Sequence, residues 1–143
     1  MTTSTAPGIG RIERTTPDID YIDSALFEAI GIVQVAVAGN TIYVSGIAPL
    51  TGGSDELRPV GTTFDEQLAY VLEILDRSLH SVGANRCDLV AWTIYTTDMD
   101  ALSASAPRLR EWVGIHPPTS TWLTVSGFIH PEQQLELTAI AVR

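Results

Sequence analysis

The sequence predicts an α/β (α+β) fold in which a single mixed β-sheet carries two helices on one face. Three observations indicate this class. Two β-branched, apolar segments flank a short Gly-Asn turn. A long central segment repeats apolar residues at helical spacing, and three later segments are rich in the β-branched and aromatic residues that strands favour. The elements follow one another in the order ββαβαββ, which favours one sheet with helices packed against it.

The first two strands are predicted as a hairpin. Segments Ile32–Ala38 and Thr41–Ile47 are separated only by Gly39-Asn40, a dipeptide typical of two-residue hairpin turns. Residues 1 to about 30 are expected to be irregular, although the pattern at 26–29 is compatible with a short helical turn. The glycine-rich stretch 50–61 is expected to be a loop.

The strongest helix signal begins at residue 63. Thr63 and Glu66 have the spacing of a capping box, in which a hydroxyl and a carboxylate satisfy backbone N–H groups reciprocally. Apolar residues follow at helical spacing, and Gly83 stands where a helix-terminating glycine belongs. A second helix is predicted from near Pro107, a favoured first-turn residue, to Val113, with a helical turn before it at 101–104.

Composition limits the classes of function. The 143 residues favour one domain spanning 1–143, with 45% apolar and 17% charged residues, as in ordinary globular proteins. The net charge of −9 argues against nucleic acid or anionic membranes as partners, since both attract basic surfaces. Cys87 is the only cysteine, so no intrachain disulfide is expected. Signal-peptide features and apolar runs of ~20 residues are lacking, and we therefore expect a cytoplasmic protein.

The remaining strands, predicted at 89–95, 120–125 and 135–142, define a second face of the sheet. Residues i and i+2 of a strand share a face. That face is predicted to mix apolar and polar side chains: Ile32, Tyr43, Trp122, Ile140 and Val142 with Gln34, Ser45, Ser120, Thr124, Glu136 and Thr138. Two helices cover only one face, so other copies of the chain are expected to cover this one. A small-molecule pocket is expected at that subunit boundary.

Several segments resemble the RidA/YjgF/YER057c/UK114 (Rid) family. The run VAGNTIYVSG at 37–46 resembles the family segment that ends in Ser-Gly; residues 67–84 resemble its long helix, and LELTAIAV at 135–142 resembles its closing strand. The similarity covers roughly Gly31 to Arg143. It implies a RidA/chorismate-mutase-like fold, a homotrimer whose sheets form a central barrel, and ligand clefts between subunits, without a cofactor.

The family resemblance also implies site residues. Its best-known members hydrolyse imines and enamines such as 2-aminoacrylate to keto acids and ammonia. Glu136 matches the glutamate of the closing strand, and Ser45 and Gly46 match the Ser-Gly pair. The arginine that holds the substrate carboxylate in the family falls within 118–120, where Ser120 is taken to replace it. Three further family positions differ: a tyrosine is Ile32, an asparagine is Ala106 and a cysteine is Trp122.

The candidate catalytic residues are therefore Glu136 and Ser120. Glu136 is expected to be a general base for water, or alternatively to bind a neighbouring subunit's backbone. Ser120 is expected either to bind a substrate carbonyl or to be an ordinary strand hydroxyl. Arg108 or Arg110 is a candidate substitute for the missing arginine. The substrate-binding candidates are Glu28, Ile32, Gln34, Ser45, Gly46, Ile47 and Trp122. The three histidines lack metal-ligand spacing, so no metal site is expected.

Two functions remain open from the sequence. One is a Rid-family enzyme that acts on a small imine, enamine or unsaturated carbonyl metabolite in a cleft between subunits. The other is a trimeric metabolite-binding or regulatory protein without catalysis. Because no arginine stands at the expected position, weak or no turnover of 2-aminoacrylate is expected in either case.

Overall fold

The computed structural model describes residues 11–143 and has a six-stranded mixed sheet with helices on one face. The strands are ordered β1-β2-β3-β8-β6-β7. In chain order the elements are β1 (Ile12–Thr15), α1 (Ser24–Ile30), β2 (Val35–Ala38), β3 (Thr41–Ile47), β4 (Leu50–Gly52), β5 (Leu57–Pro59), α2 (Phe64–His80), β6 (Leu89–Thr96), α3 (Met99–Ala104), α4 (Ala106–Val113), β7 (Thr119–Thr124) and β8 (Leu135–Val142).

The sheet is antiparallel except at one edge. β2 and β3 form the predicted hairpin, and β8 inserts between β3 and β6. β6 and β7 are parallel, and the chain between them passes through α3 and α4, as a parallel pair requires a crossover connection. The mixed sheet and the helical layer confirm the predicted fold class.

The central helix α2 begins at the predicted capping box. The Thr63 hydroxyl accepts a hydrogen bond from the Glu66 N–H at 3.1 Å, and the Glu66 carboxylate accepts one from the Thr63 N–H at 3.1 Å. These bonds and two more from Thr62 lower the pKa of Glu66 to about 2. Gly83 adopts φ 79° shortly after the helix ends, and the next N–H turns back to the Leu79 carbonyl.

The hydrophobic core lies between the sheet and the helices. From the sheet it takes alternate residues of the central strands, and from α2 it takes one helical face. The fully buried side chains include Val35, Ile42, Ile47, Leu68, Ile74, Leu75, Ile94, Leu135 and Leu137. The predicted inward set of β8 is confirmed. One face of the sheet is thus committed to the core.

Four element predictions need correction. Stretch 50–61 is not all loop, because β4 and β5 pair there as a separate small hairpin. The part of the N-terminal segment that the structure describes contains β1 and α1, whereas residues 1–10 lie outside the described residues. Strand pairing in the first hairpin begins at Val35, not Ile32. The second helical region starts earlier, as α3, and Ser105 separates it from α4.

Within residues 11–143 no helix has the length and apolarity needed to cross a membrane.

Candidate functional site

The sheet face opposite the helices is uncovered in the chain, and we call it the open face. It exposes apolar side chains on adjacent strands: Tyr43 is 47%, Ile140 36% and Val142 43% exposed. Tyr43 and Ile140 are cross-strand partners, and Thr138 lies beside Thr93. Tyr43, Thr93, Thr138 and Ile140 line a shallow groove of about 240 Å³. The predicted mixture of apolar and polar groups is present at these positions.

The carboxylate of Glu136 lies on the open face of β8, half-buried against β3. The pairing of β3 with β8 shifts register between Val44 and Ile47, so a bulge at Ser45 and Gly46 interrupts the ladder, which resumes where Ile47 pairs with Leu137. A Cβ atom at Gly46 would overlap Glu136 Oε2 and would lie 3.0 Å from its carboxyl carbon. Glycine is what allows this close approach.

Gln133 orients that carboxylate from the loop before β8. Its Nε2 donates to Glu136 Oε1 at 3.1 Å and to the Leu135 carbonyl at 3.1 Å. Gln133 is 2% exposed, and its Oε1 is buried without a partner among the described residues. Because this amide is buried and held by the Leu135 carbonyl, its hydrogen bond fixes the rotamer of Glu136 more firmly than solvent would.

Two tyrosines lie near Glu136. Tyr95 is its cross-strand partner on β6. Tyr21 is buried, and its hydroxyl accepts a 2.8 Å hydrogen bond from the Ala48 N–H. Burial raises the pKa of Tyr21, the bond from Ala48 partly offsets the rise, and the charge of Glu136 adds a smaller increase. Tyr21 therefore stays protonated at neutral pH.

A larger pocket, which we call the β1–α1 pocket, lies on the other side of Ser45. Its volume is about 670 Å³, and Arg14, Ser24, Glu28, Gly31, Ile32 and Ser45 are among the residues that line it. The Ser45 hydroxyl donates to the Val33 carbonyl at 2.6 Å. The structure thus brings the predicted residues Glu28, Ile32 and Ser45 together, and Gly46, which contacts Glu136, follows Ser45 in the chain.

Two predicted site residues on β7 face the wrong way for the open face. The parallel pairing sets Ser120 opposite Trp92 and Trp122 opposite Ile94, and both partners belong to the core face. The Ser120 hydroxyl accepts a 2.8 Å hydrogen bond from Trp92 Nε1, and Trp122 packs against the core. The placement of Ser120, Trp122 and Thr124 on the second face was wrong. Thr119, Thr121 and Leu123 occupy it instead, so Thr119 is the open-face residue within 118–120.

Gln34 and Ile47 are also unsuited to direct ligand contact. Gln34 is 1% exposed, and its Nε2 donates to the Ser78 hydroxyl on α2 at 3.1 Å. The backbone is irregular there: the Gln34 N–H bonds to Thr16 Oγ1, and Val33 rather than Gln34 lines the β1–α1 pocket. The Ile47 side chain is fully buried in the core. Because the residue as a whole has no exposed surface, Ile47 offers no group to a ligand in this chain.

Neither arginine of α4 faces the open face. Arg108 pairs with Asp65 of α2, with Nε 2.8 Å from the carboxylate, on the helical side of the sheet. Arg110 lines a surface depression with Pro107 and Glu111.

Sequence reasoning missed Arg14, which lies on β1 in a segment without hydrophobic periodicity, and it missed Gln133, whose role depends on the turn before β8. In the part of the chain that the structure describes, no three His, Cys, Asp or Glu side chains cluster closely enough to hold a metal.

Comparison with known proteins places the chain in a family. The model of the endoribonuclease L-PSP family matches residues 24–143. No curated protein matches the sequence. The fold is similar to that of a YjgF/YER057c/UK114 family member from Mycobacterium tuberculosis (TM-score 0.76, 19% identity, 93% of this chain and 100% of that chain). It is similar also to yeast Mmf1 (TM-score 0.79, 20% identity, covering 93% of this chain and 99% of that chain). A YjgF family protein from Neisseria meningitidis is similar as well (TM-score 0.71, 22% identity, covering 93% of this chain and 95% of that chain).

The family match agrees with the mixed sheet and with the bulged Ser-Gly segment beside a glutamate of the closing strand. The chain belongs to the endoribonuclease L-PSP family, also called the YjgF/UK114 or RidA family.

Proposed function

We propose that this protein is a Rid-type enzyme that acts on a small imine, enamine or unsaturated carbonyl compound, with Glu136 as general base. One observation carries the proposal: a half-buried carboxylate is held against Gly46 and oriented by Gln133, and Ser45, the residue before Gly46, lines a ligand-sized pocket. A fixed carboxylate at the edge of a partly apolar cleft is suited to move a proton to or from bound water.

For an imine, the chemistry requires only water. As the water oxygen bonds to the imine carbon, Glu136 takes a proton from the water and the imine nitrogen takes one from solvent, which gives a carbinolamine. Glu136 then gives its proton to the amino nitrogen, the C–N bond breaks to release ammonia, and the hydroxyl proton passes to solvent as the C=O bond forms. Imine and water thus give a carbonyl compound and ammonia without any change of oxidation state. The backbone at Ser45 and Gly46 would position the carbon that is attacked.

A neighbouring subunit is proposed to complete the cleft, in a homotrimer. The support is the open face, where Tyr43 on β3 and Ile140 and Val142 on the adjacent β8 are each 36–47% exposed. Apolar groups placed side by side in this way favour burial against another protein surface. Polar neighbours such as Thr138 and Glu136 would then lie at the subunit boundary, where a ligand can reach them.

The substrate is proposed to differ from 2-aminoacrylate. The open-face residue in 118–120 is Thr119, and a hydroxyl cannot replace the two parallel hydrogen bonds of a guanidinium to a carboxylate. With 2-aminoacrylate generated by a serine dehydratase, we expect little acceleration of its hydrolysis. Turnover at the level of arginine-bearing relatives would contradict this expectation.

RNA cleavage, which the family description names, is less compatible with this chain. A net charge of −9 repels phosphate backbones, and binding to RNA depends on their neutralisation by basic residues. Single-stranded RNA therefore serves as a second substrate in the tests, where we expect no cleavage.

The test compares Glu136→Gln with Glu132→Gln, a matched change at an exposed glutamate of the loop before β8. Imines are formed in situ from a panel of amino acids by an amino-acid oxidase, and the release of keto acid and ammonia is followed. Loss of a general base should lower the rate by ~10²–10⁴-fold in Glu136→Gln. The control should keep the wild-type rate, and both variants should keep the wild-type sedimentation coefficient.

Two other outcomes are informative. Full activity in Glu136→Gln would show that the carboxylate has a structural role only. If the wild-type protein accelerates no member of the panel, the alternative of a metabolite-binding or regulatory protein without catalysis is favoured.

A further inference from the structure

The β1–α1 pocket contains two opposite charges that pair neither with each other nor with another charged side chain. Arg14 lines it from β1, and Glu28 lines it from the last turn of α1. Within residues 11–143, the ion pairs closer than 4.0 Å are Arg77–Glu73, Arg86–Asp76 and Arg108–Asp65. The Arg14 guanidinium and the Glu28 carboxylate are therefore more than 4.0 Å apart, in one pocket of about 670 Å³.

Both charged residues stand on anchored backbone. Arg14 is the cross-strand partner of Ala36, which places it on the open-face side of the sheet edge. α1 ends at Gly31, whose φ of 79° lets its N–H bond to the Glu28 carbonyl at 3.2 Å and the Ile32 N–H bond to the Phe27 carbonyl at 3.0 Å. Phe27 is buried in the core and fixes the helix. The separation of the two elements is thus set by the fold.

The wall between the two charges is partly apolar and partly hydroxylic. Ile32 is 46% exposed, and Val33 lies beside it. Ser45 already donates its hydroxyl hydrogen to the Val33 carbonyl, so it can only accept a hydrogen bond from a ligand without giving up that contact. The pocket thus has a cation at one side, a carboxylate at another and an acceptor and apolar surface between them.

We propose that the β1–α1 pocket binds a small dipolar molecule, with an anionic group on Arg14 and an ammonium or protonated imine nitrogen on Glu28. Such a ligand would replace the water around both charges with two charge-assisted hydrogen bonds. This proposal deepens the proposed function, because it rests on the view that Ser45 and Glu136 border one ligand site. It assigns to Arg14 the recognition of the anion that Thr119 cannot provide.

The test is a ligand titration followed by amide chemical shifts, with no turnover required. The dipolar probes are glycine, β-alanine, 4-aminobutyrate and 6-aminohexanoate, in which the charge separation increases stepwise. Acetate and methylammonium serve as probes with one charge each. We expect one dipolar probe to bind at least ~10-fold more tightly than either singly charged probe, because it gains a second charge-assisted contact. The shifts should centre on Gly31, Ile32 and Ser45.

Variants assign the contacts. Arg14→Ala and Glu28→Ala should each lower the affinity for the best dipolar probe by ~10-fold or more, to that of a singly charged probe. Arg11→Ala and Glu13→Ala remove like charges from the same end of the chain outside the pocket, and they should leave affinity unchanged.

Three results would overturn the proposal. The first is that no dipolar probe binds more tightly than acetate and methylammonium. The second is that Arg14→Ala keeps the wild-type affinity for the best probe, and the third is that the amide shift changes lie outside the β1–α1 pocket. These failures are distinct from failure of the proposed function. Glu136→Gln could still abolish turnover when dipolar probes do not bind, and the pocket could bind them in a protein that catalyses nothing.

Discussion

The carboxylate of Glu136 rests against the Cα of Gly46 on the neighbouring strand, in space that any side chain at position 46 would occupy. The contact joins β8 to the bulge of β3, and Gln133 holds the carboxylate from its other side. The position of this carboxylate therefore depends on a glycine that has no side chain.

Gly46→Ala tests that dependence. The new methyl group would meet the far end of the Glu136 side chain, which can turn aside if it gives up the hydrogen bond from Gln133, so the free energy of unfolding should fall by only ~1 kcal/mol. Any activity that depends on Glu136 should nevertheless fall strongly. Urea unfolding and the imine assay measure the two effects. Gly127→Ala is the control, since a Cβ there meets nothing within 4 Å. Unchanged activity in Gly46→Ala would mean that the carboxylate position is unimportant.

Assembly through the open face is tested by Ile140→Asp. A carboxylate at this position would be desolvated without a partner if another subunit covers the face, and that cost is several kcal/mol in proteins. Sedimentation at micromolar concentration should give roughly three times the 15.4 kDa chain mass for the wild type and the monomer mass for the variant. Ile115→Asp, at a residue 89% exposed after α4, should remain assembled. A wild-type monomer would refute the covered-face argument.

The buried Gln34–Ser78 hydrogen bond predicts a stability effect rather than a binding effect. Ser78→Ala leaves the Gln34 amide buried without that acceptor, which should cost about 1 to 3 kcal/mol in the free energy of unfolding. Ser103→Ala, at an exposed position of α3, should cost far less. Ligand affinity should be the same in both variants. If Ser78→Ala lowered ligand affinity without lowering the free energy of unfolding, Gln34 would be a ligand-binding residue as the sequence predicted.

The capping box of α2 predicts a pH-dependent contribution to stability. The pKa of Glu66 is lowered from 4.5 to about 2 in the folded protein, so its stabilising effect is complete above pH 4.5 and is lost as the pH falls through about 2. The stability difference between wild type and Glu66→Gln should therefore shrink on acidification over that range. Glu111→Gln, at an exposed glutamate of α4, should show no such trend. Chemical denaturation at a series of pH values measures both.

The hydroxyl of the same box can be tested at neutral pH. Thr63→Ala removes the acceptor for the Glu66 N–H and should lower the free energy of unfolding by about 1 kcal/mol. Thr63→Ser should retain most of the stability, because it keeps that oxygen. Equal losses in the two variants would show that the hydroxyl does not cap the helix.

Sequence reasoning predicted those parts of the fold whose signals are local. The Gly39-Asn40 turn and the Thr63–Glu66 box each specify a structure within a few residues, and both predictions are confirmed. The alternation of β8 also sufficed, because one set of its residues is consistently apolar. The prediction for β7 was wrong because Trp122 and Leu123 are adjacent and both large, so alternation alone could not show which of the two faces the core. Its pairing with β6 decides that.

The candidate site was predictable only where a motif marked it. Ser45, Gly46 and Glu136 come together as the family resemblance implied, but the role of Gln34 was misassigned because the backbone is irregular before Val35. Arg14 carried no signal at all. β1 reads Ile-Glu-Arg-Thr, which is polar at three of four positions, and only its pairing with β2 makes it a strand.

That pairing has a consequence for how ligand binding would be measured. β1 is an edge strand of four residues with one partner, and such elements open locally at a small fraction of the global unfolding cost. A ligand held by Arg14 would tether this edge to α1, so part of its binding energy would be spent on suppressing local opening. Amide hydrogen exchange in 12–15 should then slow on ligand addition more than exchange in β3 does. The observed affinity would therefore be lowered by the free energy needed to hold β1 paired with β2.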